Sequence, residues 1–318
     1  MDNFCHTLVG AACGEAGLKH RTRYGNATLM IAANLPDIDV LSFLTDTAPI
    51  SFRRGWTHGI LAQLLLPIAF AGVMYATGRL LARRRAPRED GRHGDGPPLH
   101  AGWLLLLSYV GVYSHVFLDF LNNYGVRLLS PFDWRWFYGD AAFIADVWMW
   151  LALGAGVWLT RRQRRWGPSR AALAFVSCYI AAMLVSAQAA RAVVADTWRE
   201  VSGIAPRALM VGPLPFTPFT RVVIIDAGDR YETGVFRWWP TGVGFDDGPI
   251  MKNAGHPLVK RARAQEPQIR EFLVWARFPF WTITPEQGGT RVTVGDVRFM
   301  SRSFRRANFQ ASTLIRDP

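Results

Sequence analysis

Four long runs of apolar residues constrain this chain more than any other feature of its sequence. Crossing a bilayer takes about 20 residues of helix, and each run is close to that length with few or no charged side chains. Because no water satisfies the backbone inside a bilayer, such runs form helices there. The sequence therefore predicts a mainly α, polytopic helical membrane bundle with four strong spans: Ile60–Leu81, Ala101–Leu121, Phe143–Thr160 and Ala171–Ala190.

Two weaker apolar segments precede the four runs. Phe4–Leu18 is short, and Ala27–Thr45 is interrupted by Asn34-Leu-Pro-Asp-Ile-Asp39. Pro36 removes a backbone donor and disfavours the α conformation of the residue before it, so we expect the helix to break there. Such a break is tolerated at membrane depth only under cover of protein or of a watery cavity. We therefore interpret residues 4–45 as a helical hairpin packed on the bundle.

The arginines define a membrane topology. The formal net charge is +12, and three basic clusters lie at residues 19–23, 83–92 and 161–170. With the hairpin counted as two passes, all three clusters fall on one side, which the positive-inside rule makes cytoplasmic. The loops 46–59 and 122–142 and everything after residue 190 then lie outside a bacterial plasma (inner) membrane. Much of the positive charge thus sets orientation, and we expect membrane lipid but no nucleic acid as a partner.

From about residue 206 the pattern changes to short segments rich in β-branched and aromatic residues, separated by Gly, Pro and Asp. This composition is typical of strands joined by tight turns. The expected strands include 221–226, 231–239, 272–280, 281–284 and 290–299. We therefore predict two domains: a membrane-embedded helical domain over 1–195 that carries the functional site, and a small β-rich domain over 206–318 on the extracytoplasmic side.

Six histidine and aspartate side chains from separate segments fall on the outer side in this topology. An ionisable group inside a span costs roughly 2.5–3.5 kcal/mol, so such groups tend to be functional. Imidazole and carboxylate ligands suit Zn²⁺, Mn²⁺ or Fe²⁺, whereas three scattered cysteines provide no thiolate site. The candidate metal ligands are His6, Asp37, Asp39, His58, His115 and Asp119.

Each of these residues alone has a simpler explanation. A lone His6 in an apolar helix is more often a hydrogen-bonded packing residue. Asp37 and Asp39 can cap a broken helix, and His115 and Asp119 form an ordinary pair four residues apart on one helix face. Their convergence at one side of the membrane favours a metal or polar catalytic site over these explanations.

Further polar residues on the same side are candidates for supporting roles. Asp140 and Asp146 can accept hydrogen bonds from ligating histidines. Arginine forks match phosphate oxygens, although contact with lipid head groups at the interface explains the arginines equally well. The candidates for substrate binding are Arg54, Arg127, Arg135 and Tyr124.

Four segments carry the candidate ligands: Met1-Asp-Asn-Phe-Cys-His-Thr-Leu-Val-Gly, Asn34-Leu-Pro-Asp-Ile-Asp, Arg53-Arg-Gly-Trp-Thr-His and Ser114-His-Val-Phe-Leu-Asp-Phe-Leu-Asn-Asn-Tyr-Gly. They resemble the YdjM-like bacterial family, whose members are described as membrane-bound, metal-dependent hydrolases. The resemblance covers about residues 1–160, and Arg277-Phe-Pro-Phe and Gly295-Asp-Val-Arg-Phe look similar too. More remotely, the order of His and Asp is similar to that of zinc-dependent phospholipase C and P1-type nucleases. The later His and Glu residues that complete their three-metal cluster are missing here.

The resemblance implies hydrolysis at a divalent metal, with zinc favoured over manganese or iron and one or two ions per chain. The candidate ligands would hold it, and Asp37 and Asp39 would bridge metals or act as general base. We therefore predict a membrane-bound hydrolase, phosphoesterase-like or phospholipase-like, that acts on a lipid-like substrate. Three alternatives stay open: a peptidase or esterase, although HExxH is absent; a metal-ion transporter; and a non-catalytic membrane scaffold with a β interaction domain.

Overall fold

The chain forms two compact units in a computed structural model that describes residues 1–44, 52–84, 97–301, 306–307 and 309–316. The helical unit comprises Met1–Leu41 and Arg54–Leu184, and the sheet unit comprises Ser42–Arg53 and Val185–Pro318. Residues 85–92 of the second basic cluster lie outside the described residues.

The helices of the N-terminal part begin and end where local signals place them. They are α1 Asn3–Glu15, α2 Gly25–Ala32, α3 Ile60–Arg84, α4 Ala101–Phe120, α5 Val147–Gln163 and α6 Gly167–Ser202. Asp2 caps α1, because its side chain accepts hydrogen bonds from two backbone nitrogens of the first turn. After α2 the chain continues as a 3₁₀ segment, Leu35–Leu44. The break predicted from Pro36 is therefore confirmed.

Among the described residues, three helices are long and apolar enough to cross a membrane: α3, α4 and α6. The expectation of four such spans is not confirmed. The predicted span Phe143–Thr160 corresponds to α5, which has 17 residues, and this helix is about 25 Å long against a hydrocarbon core of about 30 Å. Its start is delayed because Asp146 acts as the N-cap, with its side chain accepting from Met149 N.

Small residues bring three helices of the helical unit into backbone contact. A Cβ added at Gly10 of α1 would lie 2.8 Å from the carbonyl oxygen of Leu29 in α2. A Cβ added at Gly111 of α4 would lie 2.5 Å from the Cβ of Ala32 and 2.8 Å from the backbone nitrogen of Ala33. Small residues allow this close packing within membranes. The close approach places the end of α2 directly against α4, which carries two of the candidate ligands.

The C-terminal part is rich in β-strands, as the sequence predicts, and its sheets are antiparallel. One sheet has the order β1-β2-β3-β4, with β5 paired to β3; another has the order β10-β7-β6; β8 pairs with β9. The strands are β1 Ala208–Leu214, β2 Thr217–Asp226, β3 Arg230–Trp238, β4 Thr241–Phe245, β5 Ile250–Met251, β6 Pro279–Glu286, β7 Gly289–Asp296, β8 Met300–Ser301, β9 Arg306–Ala307 and β10 Gln310–Arg316. Two helices lie between β5 and β6: α7 Pro257–Gln265 and α8 Pro267–Trp275.

The last part of α6 belongs to the sheet unit. Ala190, Val194 and Trp198 are buried in one apolar cluster with side chains of β1, β2 and β3. The Trp238 indole nitrogen also donates a hydrogen bond to Ser186 Oγ at 2.9 Å. Their spacing of four residues is that of a helix face that packs on a sheet.

The strand expected at 272–280 is wrong. Its first residues end α8, and β6 begins only at Pro279. Glu266 caps this helix and Pro267 occupies its first turn, an arrangement that favours helix initiation. The buried side chains of α8 are Ile269, Phe272 and Trp275, whose spacing of three fits a helix face. The apolar run thus follows the helical period and not the period of two that a strand requires.

Candidate metal centre

The helical unit brings four buried ligand-type side chains together. Asp37, His58, His115 and Asp119 each offer one ligand atom, and these atoms all lie within 4.8 Å of one another. The residues come from the 3₁₀ segment, the turn before α3, and the last turns of α4. This group can hold a metal ion, and its donors are imidazole and carboxylate without a thiolate.

His115 has its tautomer set by a backbone group. Its Nδ1 lies 2.7 Å from the carbonyl oxygen of Ala33, which can only accept. Nδ1 therefore donates its proton there, and in a neutral ring Nε2 carries the lone pair. Nε2 lies 3.6 Å from Asp119 Oδ2 and 3.7 Å from Asp37 Oδ1. The ligand-type nitrogen thus faces two carboxylates.

His58 is oriented by a threonine and a carboxylate. Thr57 Oγ1 donates a hydrogen bond to Asp39 Oδ2 at 3.0 Å. Thr57 Oγ1 also lies 3.0 Å from His58 Nδ1. Because the hydroxyl proton is used on Asp39, Thr57 Oγ1 is left to accept from Nδ1–H. Hence Nε2 of a neutral His58 also carries its lone pair. Asp39 Oδ2 accepts the backbone N–H of Arg54 at 2.8 Å as well, which fixes the turn that presents His58.

The two lone-pair nitrogens face each other. His58 Nε2 and His115 Nε2 are 3.1 Å apart in a fully buried environment. Two lone pairs at that distance repel each other unless a proton or a metal ion lies between them. Two imidazole nitrogens on a tetrahedral zinc, each about 2.0–2.1 Å from it, are about 3.3 Å apart. The residues present therefore fit a divalent ion.

His6 lies beside this pair of histidines. Its ring stacks on that of His115, with centroids 3.8 Å apart and planes at 21°, and its Nε2 lies 3.4 Å from Asp119 Oδ1. Both ring nitrogens are buried, and neither forms a hydrogen bond within the part of the chain that the structure describes. A buried imidazole without a hydrogen bond is costly, and a metal ion is one partner that would remove that cost.

Asp119 is contacted from several sides. Arg54 approaches both carboxylate oxygens, with Nε 2.8 Å from Oδ2 and Nη2 3.0 Å from Oδ1. Arg54 Nη1 donates to Asn122 Oδ1 at 3.1 Å, and its guanidinium lies 4.6 Å from the centre of the Tyr124 ring. The amino nitrogen of Met1 also contacts Oδ1. The predicted substrate residues Arg54 and Tyr124 thus lie at the cluster, where Arg54 pairs with a candidate ligand.

The predicted supporting carboxylates, Asp140 and Asp146, both lie in the loop between α4 and α5. Asp146 Oδ2 accepts the hydroxyl of Tyr179 at 2.9 Å, in addition to capping α5. Asp140 is buried and has a left-handed backbone (φ 49°), between residues whose nitrogens donate to carbonyls at the end of α4. The contacts of Asp146 stabilise α5 and tie it to α6.

The other two predicted arginines lie in the loop after α4. Arg127 packs on aromatic rings, with its guanidinium 4.5 Å from the centre of Trp136, and burial lowers the pKa of that guanidinium. The Arg135 side chain is 77% exposed and pairs with Asp133 at 2.6 Å. That hydrogen bond holds the pKa of Asp133 below its usual range. Neither arginine belongs to the group of four.

Contributors to the site that were not expected from the sequence include Thr57, Asn122 and the carbonyl of Ala33. Two of them carried a signal. Thr57 is adjacent to a candidate ligand, and Asn122 follows Asp119 by three residues, just beyond the end of α4. A backbone carbonyl has no signal in the sequence, because every residue possesses one.

Comparison with known proteins decides the family. The model of the YdjM inner membrane protein family matches residues 1–190. The chain belongs to this family. It is also 28% identical over 148 residues to the uncharacterized protein YfhP of Bacillus subtilis (strain 168). That match covers 43% of this chain and 39% of YfhP, so the chain aligns with well under half of that relative. No solved structure matches.

Family membership and the apolar helices establish a membrane protein. The matched region contains all of the residues in the buried cluster and ends within α6. The segments Arg277-Phe-Pro-Phe and Gly295-Asp-Val-Arg-Phe lie beyond the match. In the sheet unit they meet, because Asp296 accepts the backbone nitrogens of Arg277 at 2.6 Å and of Phe278 at 3.3 Å.

Proposed function

We propose that this protein is a membrane-bound, metal-dependent hydrolase that acts on a lipid-like substrate. The observation that carries the proposal is the pair of buried imidazole nitrogens 3.1 Å apart, each with its other nitrogen engaged. Histidines held in one tautomer by outer hydrogen bonds are typical of metal ligands. Membership of the YdjM family supports the same conclusion.

The residues divide into holding and orienting roles. Asp37, His58, His115 and Asp119 would hold the ion, and the proximity of His6 allows a second ion or a fifth ligand. We assign zinc, because imidazole and carboxylate donors without thiolate suit it. The chemistry supplied by a bound divalent ion would be a water of lowered pKa and polarisation of the electrophile.

The two carboxylates of the 3₁₀ segment differ in what they contact. Asp39 Oδ2 accepts from Thr57 and from the Arg54 backbone, so we assign Asp39 to orienting His58. Asp37 Oδ1 faces His115 Nε2 at 3.7 Å. We therefore keep Asp37 among the residues that would hold the ion, where its carboxylate would also be placed to accept a proton from a water molecule.

Exposed apolar side chains next to the cluster support a lipid-like substrate. Ile38, between the two buried aspartates, is 47% exposed, and Trp56, two residues before His58, is 51% exposed. The Trp56 ring contacts that of Trp134 edge to face at 5.2 Å. Amphipathic aromatic residues of this kind favour the boundary between acyl chains and water. A lipid lying there would have its polar end near the cluster.

We further propose that the cluster and the sheet unit face the extracytoplasmic side of the inner membrane. The basic residues at 19–23 and 161–170 support this orientation through the positive-inside rule. The test is a C-terminal fusion to alkaline phosphatase, which is active only outside the cytoplasm, beside a matched fusion to green fluorescent protein. An active phosphatase fusion is expected; a fluorescent fusion with an inactive phosphatase would reverse the orientation.

Metal analysis tests the function first. Wild-type protein purified in detergent is expected to contain one or two zinc ions per chain by elemental mass spectrometry. The double variant His58→Ala/His115→Ala should lose them, whereas His256→Ala should not, because His256 is exposed and caps α7 in the sheet unit. A folded wild type that takes up no Zn²⁺, Mn²⁺ or Fe²⁺ would overturn the proposal and favour a scaffold.

Activity and transport are then separated on the metal-loaded protein. We expect the wild type to release product from at least one member of a panel of phospholipids. The His58→Ala/His115→Ala variant should release none. If none of the panel is cleaved while proteoliposomes accumulate the metal ion, the protein is a transporter and the hydrolase proposal fails.

A further inference from the structure

The Arg54 guanidinium contacts the candidate metal ligand Asp119. Its side chain is buried, with 4% of the residue exposed. Two nitrogens of the fork lie 2.8 Å and 3.0 Å from the two oxygens of Asp119. The contact to Oδ1 is a charge-assisted hydrogen bond, and the contact to Oδ2 is an ion pair.

The Arg54 backbone is fixed, so that only the side chain can move. The residue has a left-handed conformation (φ 54°), which is costly for a residue other than glycine. Its N–H donates to Asp39 at 2.8 Å, and its carbonyl accepts the N–H of Arg127 at 2.9 Å. Strain of this type persists where the surroundings over-determine it, and it concentrates at functional sites.

Pairing with Arg54 and binding of a metal ion draw on the same carboxylate. When Asp119 ligates a divalent ion, the ion neutralises part of the carboxylate charge. The carboxylate then attracts the guanidinium less strongly. A divalent ion in the cluster also repels the guanidinium. The two cations therefore compete for Asp119, and binding of one weakens binding of the other.

We propose that Arg54 is an internal counter-ion of Asp119, which a divalent ion displaces and which then binds a phosphate group of the substrate. This inference rests on the proposed function. A displaced guanidinium that stays buried needs a new anion, because an uncompensated buried charge is strongly destabilising. Asn122 and Tyr124 keep the fork beside the cluster, and the fork matches the oxygens of phosphate. The substrate class is therefore a phosphate-bearing anion, and the ion and the phosphate bind cooperatively.

The test measures two affinities in detergent, without any assay of activity. The Zn²⁺ dissociation constant is obtained by competition with a chromophoric chelator, and binding of inorganic phosphate by calorimetry with and without the metal. Arg54→Gln removes the competing charge, and Arg54→Lys keeps the charge but not the fork. Arg199→Gln is the matched control, since Arg199 forms an exposed pair with Asp196 in the sheet unit.

Arg54→Gln is expected to bind Zn²⁺ about tenfold more tightly than wild type and to lose phosphate binding in the loaded state, a change of the size that outer residues exert on metal affinity. For Arg54→Lys, both affinities should lie between those of wild type and Arg54→Gln. The affinities of Arg199→Gln should match those of wild type. Soluble short-chain phosphatidate binding more tightly than inorganic phosphate would identify a lipid phosphate; equal binding would identify a free one.

Two results would overturn the inference while leaving the proposed function intact. One is weaker Zn²⁺ binding by both Arg54 variants, which means that the arginine merely positions Asp119. The other is undiminished phosphate binding by loaded Arg54→Gln. Failure of the wild type to bind any metal would instead remove the proposed function, and this inference with it. If Arg54→Gln does not fold, the Zn²⁺ and phosphate affinities of Arg54→Lys serve as the test. Tighter Zn²⁺ binding with weaker phosphate binding supports the inference, and weaker Zn²⁺ binding or undiminished phosphate binding overturns it.

Discussion

Each unit of this protein contains a buried arginine–aspartate pair, and the two pairs have different surroundings. In the sheet unit, Arg298 binds Asp296 through Nε at 3.0 Å and Nη2 at 2.9 Å, and Nη2 also donates to the Trp275 carbonyl at 3.1 Å. Asp296 accepts three backbone nitrogens as well. In the helical unit, Arg54 contacts Asp119 at the similar distances of 2.8 Å and 3.0 Å. There, however, nitrogens of three histidines lie within 3.6 Å of the carboxylate.

The difference separates a structural pair from a candidate site. Backbone N–H groups are permanent donors, so that Asp296 is held whatever the solution contains. The imidazoles around Asp119 carry lone pairs and can exchange protons or bind metal. A buried ion pair alone is weak evidence for function, whereas one surrounded by ligand-type nitrogens is an arrangement that a cation can alter.

The largest effect is expected from breaking the structural pair. Asp296→Asn leaves the Arg298 guanidinium buried without its counter-charge, which should lower the free energy of unfolding by about 3–5 kcal/mol. Denaturant unfolding followed by tryptophan fluorescence measures it. Glu286→Gln, in an exposed pair with Arg291, is the control and should change little. A loss under about 1 kcal/mol for Asp296→Asn would contradict the structural assignment.

Removal of metal should lower the stability of the helical unit, which contains the pair of Arg54 and Asp119. At a free metal concentration about 100 times its dissociation constant, chelation is expected to lower stability by about 2.7 kcal/mol, because the ion binds only the folded chain. Thermal unfolding with and without a chelator measures the change. The His58→Ala/His115→Ala protein should not respond. An equal response of this variant would place the bound metal elsewhere.

An intermediate effect is expected from the hydroxyl that orients His58. Thr57→Val removes the acceptor of Nδ1–H and the donor to Asp39 while keeping the shape of the side chain. Zn²⁺ affinity should fall about 10- to 100-fold, the range known for partners of ligating histidines. Thr57→Ser, which restores the hydroxyl, should recover most of it in the same chelator competition. Unchanged affinity in Thr57→Val would show that Thr57 does not set the tautomer.

The smallest effect is expected at Asp146, which the sequence suggested as an acceptor for a ligating histidine. Tyr179→Phe removes its 2.9 Å hydrogen bond and should cost about 1 kcal/mol of stability. Metal content should stay as in wild type, and Tyr113→Phe, at an exposed position on α4, should have no effect on either. Loss of metal in Tyr179→Phe would link Asp146 to the site after all.

Local signals predicted the parts of the fold and site that local chemistry determines. Pro36 announced the break after α2, and the spacing of His115 and Asp119 placed both on one face of α4. The apolar run 272–280 was misassigned because its helical period begins earlier, at Ile269. The start of α5 was predicted four residues too early because the N-cap role of Asp146 was missed.

Tertiary contacts account for what the sequence did not reveal. Arg54 and Asp119 are 65 residues apart in the sequence. Neither segment contains a local pattern that predicts this pairing. The division of labour between Asp37 and Asp39 likewise depends on which of them meets Thr57 across a turn. Residue types identified the candidates, and only packing assigned their contacts.

The hydrogen bond from His115 to the Ala33 carbonyl has a consequence for biogenesis. Ala33 belongs to a segment made early during synthesis, and its carbonyl reaches the imidazole only after α4 has entered the membrane and docked on α2. Until then His115 has no fixed tautomer and the nitrogens of the cluster do not converge. The whole cluster would therefore hold a metal ion only after α4 has docked on α2. Metal binding at the cluster would thus mark the docking of these two helices as a completed step of assembly.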